Sequence, residues 1–193
     1  GSQEAKAGGI LQKKKPMRLT RKSEGDPKTS PLVFGTFPQE DFLDVDALKK
    51  GIRAAESLDG LLMINPNSSA TGLYGQLYGE IKDMPFMKGI SRQEFADDLD
   101  LQEKVFNMRL EDGFEAPSLR RNAVELTEEY QDQLGEDWNY SLNDVAALSN
   151  YLGRQGAREY FASIRDNTIY EPPGVNMDPV KYLKKFREGM AAE

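Results

Sequence analysis

The chain contains neither cysteine nor histidine. Without cysteine there is no disulfide and no thiolate nucleophile, and without either residue the usual zinc sites and histidine-based catalytic triads are excluded. Acid-base chemistry would therefore depend on Asp, Glu, Tyr or Lys. We expect no metal and no organic cofactor.

Long apolar runs are also missing. No stretch approaches the roughly 20 apolar residues of a membrane span, and the N-terminal residues lack the apolar block of a secretory signal. Charged residues make up 30% and apolar residues 38% of the 193 residues, a balance typical of a globular protein. That length suits one core, so we expect a soluble protein with one folded domain and one appendage.

Charge is distributed unevenly along the chain. Residues 1–37 hold eight Lys or Arg against three acidic residues, a net charge of +5, which leaves −12 on the remainder. This segment includes the basic run 13–22 and few core-forming side chains, so it cannot bury enough apolar surface to offset its ordering entropy. The sequence predicts a flexible basic arm over 1–37 and a folded domain over 38–193. The arm is either a solvated linker or an anchor to an anionic partner such as nucleic acid or an acidic protein.

The remainder of the chain has helical periodicity. Leu48, Ile52 and Ala55 recur at helical spacing, and Glu56 falls at the end of that helix. The stretch 58–69 has turn residues on both sides of the short apolar run 61–64 and predicts a small hairpin or an extended loop. The predicted class is all-α, with one small β-hairpin at most. Start signals for further helices occur at Ser91, Ser118, Ser141 and Asp178.

The most informative stretch for chemistry is 55–79. Because Glu56 closes an apolar helix, its carboxyl group is half withdrawn from water, which disfavours the charged form and suits proton donation near neutrality. Gly72, Gly75 and Gly79 would let the backbone approach an extended ligand closely. Ser, Asn, Tyr and Gln side chains in the same stretch supply the hydrogen bonds and stacking surface that sugars need.

Three blocks of this sequence resemble the lytic transglycosylases and the related goose-type and phage lysozymes. The strongest reads Glu-Ser, then Asn-x-x-Ser, then Gly-x-Tyr-(Gly)-Gln, and extends from Glu56 to Gln76. The second block, 148–157, is similar to the family's Tyr-Asn-Ala-Gly block, and the third, 174–183, looks like the end of phage particle-associated members. The resemblance spans roughly 47–186 and implies a lysozyme-like helical fold.

The same resemblance implies a peptidoglycan-cleaving enzyme. Glu56 would be the single general acid/base, which protonates the linkage between N-acetylmuramic acid and N-acetylglucosamine and then serves as base toward the muramoyl 6-hydroxyl or toward water. Because no second carboxylate matches, the substrate's own N-acetyl group would stabilise the positive centre. The partner would be peptidoglycan glycan strands, and the setting a phage virion or tail, or the bacterial periplasm or cell wall. Substrate contacts would come from Ser68, Ser69, Tyr74, Gln76, Asn150 and Tyr151.

A different function is also compatible with these residues. A turn, a helix cap or helix packing would account for each of the six contact residues, and Gly75 shifts the Gln by one place relative to the family pattern. An acidic domain is also repelled by anionic cell walls, which disfavours an enzyme that acts on them. The alternative is a non-enzymatic structural virion or assembly protein that reuses the lysozyme-like fold. Its basic arm would dock to nucleic acid or to other virion or secretion-apparatus proteins.

Two further groups have plain interpretations. Acidic residues are dense over 97–115, but the spacing of a calcium loop is absent, so we expect a solvated face. Trp138, the only tryptophan, and Tyr140 suit either a sugar platform or the core, and we favour the core.

Overall fold

The computed structural model describes residues 43–111, 116–173 and 177–193, and these residues are mostly helical. The all-α class is confirmed, whereas the predicted basic arm, 1–37, lies outside the described residues. None of the helices in the described ranges is long and apolar enough to cross a membrane. The α-helices are α1 (Val45–Ser57), α2 (Tyr78–Ile81), α3 (Arg92–Asp97), α4 (Leu99–Glu111), α5 (Leu119–Leu134), α6 (Leu142–Asp166) and α7 (Pro179–Ala191).

The predicted start signals coincide with the observed helix starts. Ser91 and Ser141 each form a capping box with the acidic residue at the third helical position of α3 and α6. Ser118 and Asp178 precede α5 and α7, and each side chain accepts a backbone N–H of its helix. Within α6 the helical geometry is interrupted at Gly153, which has φ 78° and ψ 165°.

The chain divides into two compact units. Unit 1 contains residues 43–44 and the described part of 122–183, and unit 2 contains the described part of 45–121 together with 184–193. In unit 1, the Trp138 ring lies 5.1 Å from that of Phe161 and meets Tyr140 edge-on at 5.0 Å. These contacts agree with the core interpretation of Trp138 and Tyr140.

Unit 2 packs its first helix against the last turns of α7. A Cβ placed at Gly51 would lie 2.6 Å from the Phe186 ring, and one at Gly189 would lie 2.4 Å from Cβ of Ala54. Glycine on both helices therefore permits a close helix-helix contact. A second part of the unit 2 core consists of Ile81, Met84, Met87, Phe95 and Val105.

The stretch 58–69, predicted to be a small hairpin or an extended loop, is mainly loop, and a small hairpin directly follows it. Strands β1 (Ala70–Thr71) and β2 (Gln76–Leu77) pair antiparallel with Thr71 opposite Gln76. From the predicted stretch only Ile64 takes part, through an isolated bridge to Thr71. Before it, Leu58, Asp59 and Gly60 have left-handed φ angles of 52°, 56° and 94°, and the backbone N–H groups of Asp59 and Gly60 donate to carbonyl oxygens of α1.

Candidate functional site

Glu56 is the penultimate residue of α1 and is half-buried. The helix buries Leu48, Ile52 and Ala55 on one face, as the periodicity predicted. Glu56 therefore closes an apolar helix, and its carboxyl group lies at the boundary between core and solvent.

The backbone of Gly75 packs directly on the Glu56 side chain. A Cβ at Gly75 would lie 2.5 Å from Oε1, 2.9 Å from Cβ and 3.0 Å from Cδ of Glu56, and Gly75 has φ 62°. Contacts under 3 Å leave no room for any side chain there, and the left-handed φ favours glycine independently. The glycine that shifts the family pattern by one place is thus the residue that contacts the candidate catalytic carboxylate.

Ser57, the second residue of the Glu-Ser pair, ties the following loop to α1. It is fully buried, and its Oγ contacts the carbonyl oxygens of Leu73 at 2.8 Å and Arg53 at 3.1 Å. The same Oγ accepts a hydrogen bond from Gly60 N, and the Ser57 carbonyl accepts one from Leu62 N. Sequence reasoning gave Ser57 no role of its own, although its place in the motif was visible.

Tyr74 lies inside unit 2 with none of its surface exposed. Its ring stacks on Phe106 at 4.3 Å, and its hydroxyl donates to Glu103 and accepts from Arg53. Burial and the hydrogen bond to Glu103 raise the pKa of Tyr74 above its ordinary value. Partial burial would raise the pKa of Glu103, but hydrogen bonds from Tyr74 and Lys49 outweigh it and hold that pKa below its ordinary value. Tyr74 is therefore a core residue of unit 2, and substrate contact by it stays a prediction.

Gln76 is only 2% exposed, and neither its Oε1 nor its Nε2 has a hydrogen-bond partner. Each unsatisfied buried group costs about 1–3 kcal/mol. Native proteins rarely keep such groups, which usually mark a place where a ligand or an ordered water supplies the partner. Gln76 follows Gly75 directly, so this amide belongs to the same short segment as the Glu56 contact.

The two candidate serines occupy the turn before β1. Ser68 is exposed, and its Oγ accepts from Ala70 N at 3.1 Å. Ser69 Oγ accepts from Gly79 N at 3.4 Å, and its carbonyl accepts from Tyr78 N at 2.9 Å. The turn and cap roles that the sequence offered are thus present, and substrate contact by these serines stays a prediction.

Asn150 and Tyr151 lie on α6 in unit 1, whereas the other candidate residues lie in unit 2. The Tyr151 hydroxyl donates to the Met177 carbonyl at 2.6 Å, and its ring stacks on Tyr182 at 4.0 Å. These contacts fit the helix-packing interpretation of Tyr151. A role for either residue in substrate binding stays a prediction.

Two features near Glu56 were given no functional role from the sequence. Burial lowers the pKa of Arg109, while the negative charges of Glu80 and Glu56 oppose that shift, which places a cation within electrostatic range of both carboxylates. A lone Arg in the last turn of α4 carries no motif that would reveal it. The second feature is an exposed apolar loop directly after α1, in which Leu61 is 87% exposed.

No group of three or more Asp or Glu side chains in the described ranges is arranged to hold a metal ion. The acidic residues Asp97, Asp98 and Asp100 instead line an open surface hollow beside Glu94. Within the described residues, the chemistry available near Glu56 is therefore that of a carboxylate, an amide, an arginine and hydroxyl groups.

Comparisons with protein-family models, with curated proteins and with solved structures find no match for this chain. The likeness to lytic transglycosylases accordingly remains a resemblance of motifs.

Proposed function

We propose that this protein cleaves the glycan strands of peptidoglycan, as a lytic transglycosylase or a muramidase, with Glu56 as its single general acid/base. The observation that carries this proposal is the contact between Glu56 and Gly75. A Cβ on Gly75, which has a left-handed φ, would lie 2.5 Å from Oε1 of the half-buried Glu56, so the backbone of this glycine lies against the carboxylate. Such placement suits a group that must meet a reacting atom in one orientation.

Two neighbouring features suit a glycan substrate. The amide of Gln76, next to Gly75, is buried without a partner, and an unsatisfied buried amide often marks a place where a polar ligand or water binds. The exposed loop after Glu56 presents Leu58, Leu61 and Leu62, whose apolar surfaces suit the faces of pyranose rings and N-acetyl methyl groups. Leu58 and Asp59 in that loop adopt left-handed backbone conformations, which proteins retain mainly at functional sites.

In this proposal the protonated carboxyl group of Glu56 donates its proton to the oxygen that links N-acetylmuramic acid to N-acetylglucosamine. The bond from that oxygen to the muramoyl anomeric carbon breaks, and the carbonyl oxygen of the substrate's own N-acetyl group bonds to the carbon. The Glu56 carboxylate then accepts a proton from the muramoyl 6-hydroxyl or from water as that oxygen attacks the same carbon, and the bond between this carbon and the N-acetyl oxygen breaks, which restores the acetamido group. The first route gives an anhydro sugar, and the second gives a reducing sugar.

One observation favours a second candidate, a non-enzymatic structural protein of a virion or assembly that reuses a lysozyme-like fold. Tyr74 and Gln76, two of the six expected substrate contacts, are buried within unit 2. Burial of these two side chains would suit a protein that has kept the architecture and lost the reaction.

The test compares the wild-type chain with Glu56→Gln on purified peptidoglycan from several wall types, by turbidity loss and by product mass. Glu128→Gln, at an exposed glutamate of α5, is the matched control for removing one carboxylate. Circular dichroism establishes that all three proteins are folded.

We expect the wild type and Glu128→Gln to cleave and Glu56→Gln to be inactive. Anhydro-muramoyl products would identify a lytic transglycosylase, and reducing products a muramidase. Equal activity in Glu56→Gln would remove Glu56 from the mechanism. A folded wild type that cleaves no wall type would favour the structural candidate.

A further inference from the structure

Arg92, the first residue of α3, binds the turn that precedes β1. Its Nε donates to Thr71 Oγ1 at 2.7 Å. Its Nη2 contacts the carbonyl oxygens of Ser68 at 2.7 Å, Ala70 at 2.9 Å and Asn65 at 3.0 Å. One guanidinium group therefore binds four oxygen atoms of the segment 65–71, which contains both candidate serines.

The turn that Arg92 binds and the Glu56 contact belong to the two strands of the same hairpin. Thr71 pairs with Gln76 across the two strands, Gly75 precedes Gln76, and the backbone of Gly75 packs on Glu56. Because the Arg92 guanidinium binds three carbonyl oxygens of the turn, it also determines which backbone groups of the turn remain available to other partners. Lysine cannot replace arginine here, because an ammonium group is a single point and lacks the planar fork that spans separate acceptors.

A second side chain holds the other end of the hairpin. Gln102 on α4 is fully buried, and its Oε1 accepts from Leu73 N at 2.8 Å. Its Nε2 donates to the carbonyls of Phe95 and Ala96 at the C-terminal end of α3. Because Gln102 fixes the chain beyond Thr71, loss of Arg92 should loosen the turn before β1 and leave Glu56 and Gly75 in place.

We propose that Arg92 is a positioning residue for the glycan site: it holds the 65–71 turn, with Ser68 and Ser69, in the arrangement that binds the glycan strand. This inference rests on the proposed function for its ligand. It assigns Arg92 to binding and not to proton transfer, since Glu56 is held separately by α1 and by Gly75.

The experiment measures binding of soluble glycan strands, released from purified peptidoglycan by an amidase, to folded Glu56→Gln protein with and without Arg92→Lys. The Glu56→Gln parent leaves the strands uncut, so affinity is read separately from cleavage. Arg120→Lys is the matched control, because Arg120 forms a two-pronged ion pair with Glu111 in the same unit. Hydrogen exchange of the amides of Asn65 and Gly72 reports on the turn.

We expect Arg92→Lys to weaken glycan binding about tenfold and to speed exchange at both amides, and Arg120→Lys to change neither. In otherwise wild-type protein, the same change should raise KM with little effect on kcat, the pattern of lost ground-state binding. Unchanged affinity in Arg92→Lys, a fall in kcat alone, or a parent that binds no glycan would each overturn the proposal. If glycan binding depends on Arg92 while the wild type cleaves nothing, the proposed function fails and this inference stands.

Discussion

Replacement of Gly75 by alanine should disturb Glu56 directly. The added Cβ would lie 2.5 Å from Glu56 Oε1 and 2.9 Å from its Cβ, on a backbone with φ 62°. A left-handed conformation costs a residue with a Cβ about 1–2 kcal/mol, and displacing Glu56 from its rotamer adds about 0.5–1.5 kcal/mol. We therefore expect Gly75→Ala to lower the free energy of unfolding by about 1.5–3.5 kcal/mol.

The variant Gly135→Ala separates the cost of the left-handed backbone from the cost of displacing Glu56. Gly135 has φ 56°, close to that of Gly75, but no atom lies within 4 Å of a Cβ placed there. Urea unfolding followed by far-UV circular dichroism should show only the backbone cost, about 1–2 kcal/mol, in this control. In a Glu56→Ala background, which lacks Oε1 and Cδ, Gly75→Ala should cost less than it does in the wild type.

The same substitution should affect activity more than stability. A displacement of the Glu56 carboxyl group by about 1 Å would lower kcat about a hundredfold in the folded protein, with little change in Gly135→Ala. If Gly75→Ala is no costlier than Gly135→Ala, or if its cost is the same with and without the Glu56 side chain, then Gly75 does not hold Glu56 and the reasoning fails.

Two further predictions concern packing and buried hydroxyls. Gly51→Ala should lower the free energy of unfolding by about 1–3 kcal/mol, because its Cβ would overlap the Phe186 ring, and urea unfolding measures this; an unchanged midpoint would contradict the contact. Tyr74→Phe should lower the free energy of unfolding by about 1 kcal/mol, because it removes a hydrogen bond to the partly exposed Glu103. Tyr170→Phe should leave it unchanged or raise it by up to about 1 kcal/mol, because that hydroxyl is buried without a partner. Burial raises the pKa of Tyr170 to about 12. Because the folded protein resists ionisation of this phenol, the free energy of unfolding should fall as the pH rises from about 10 toward 12. Tyr170→Phe should remove that part of the alkaline loss.

Helix starts could be predicted because their signals are local. A Ser followed three residues later by an acidic residue, as at Ser91 and Ser141, satisfies the first backbone N–H groups of a helix wherever that helix lies. The burial of Leu48, Ile52 and Ala55 likewise follows from their spacing on one helix face. The position of Glu56 at the end of α1 was therefore predictable from the sequence.

The contacts around Glu56 were not predictable, because they join residues that are distant in the chain. Nothing local to Gly75 shows that its backbone meets Glu56, and nothing local to Arg92 shows that its guanidinium binds the turn near Ser68. The burial of Tyr74 was missed because a tyrosine in a polar, glycine-rich segment suits a ligand-binding surface as well as a core. The sequence left 58–69 open between a small hairpin and an extended loop, because the strand pairing depends on residues 70–77, which lie outside that stretch.

The close packing of Gly51 against Phe186 has a consequence for synthesis of the protein. The helix that carries Glu56 leaves the ribosome before α7, which supplies the side chains that pack against Gly51. Until α7 follows, α1 lacks that packing, and a short helix without tertiary packing is only marginally stable in water. Unit 2 therefore acquires its complete packing only after α7 has been synthesised, and α1 reaches its final surroundings at that point.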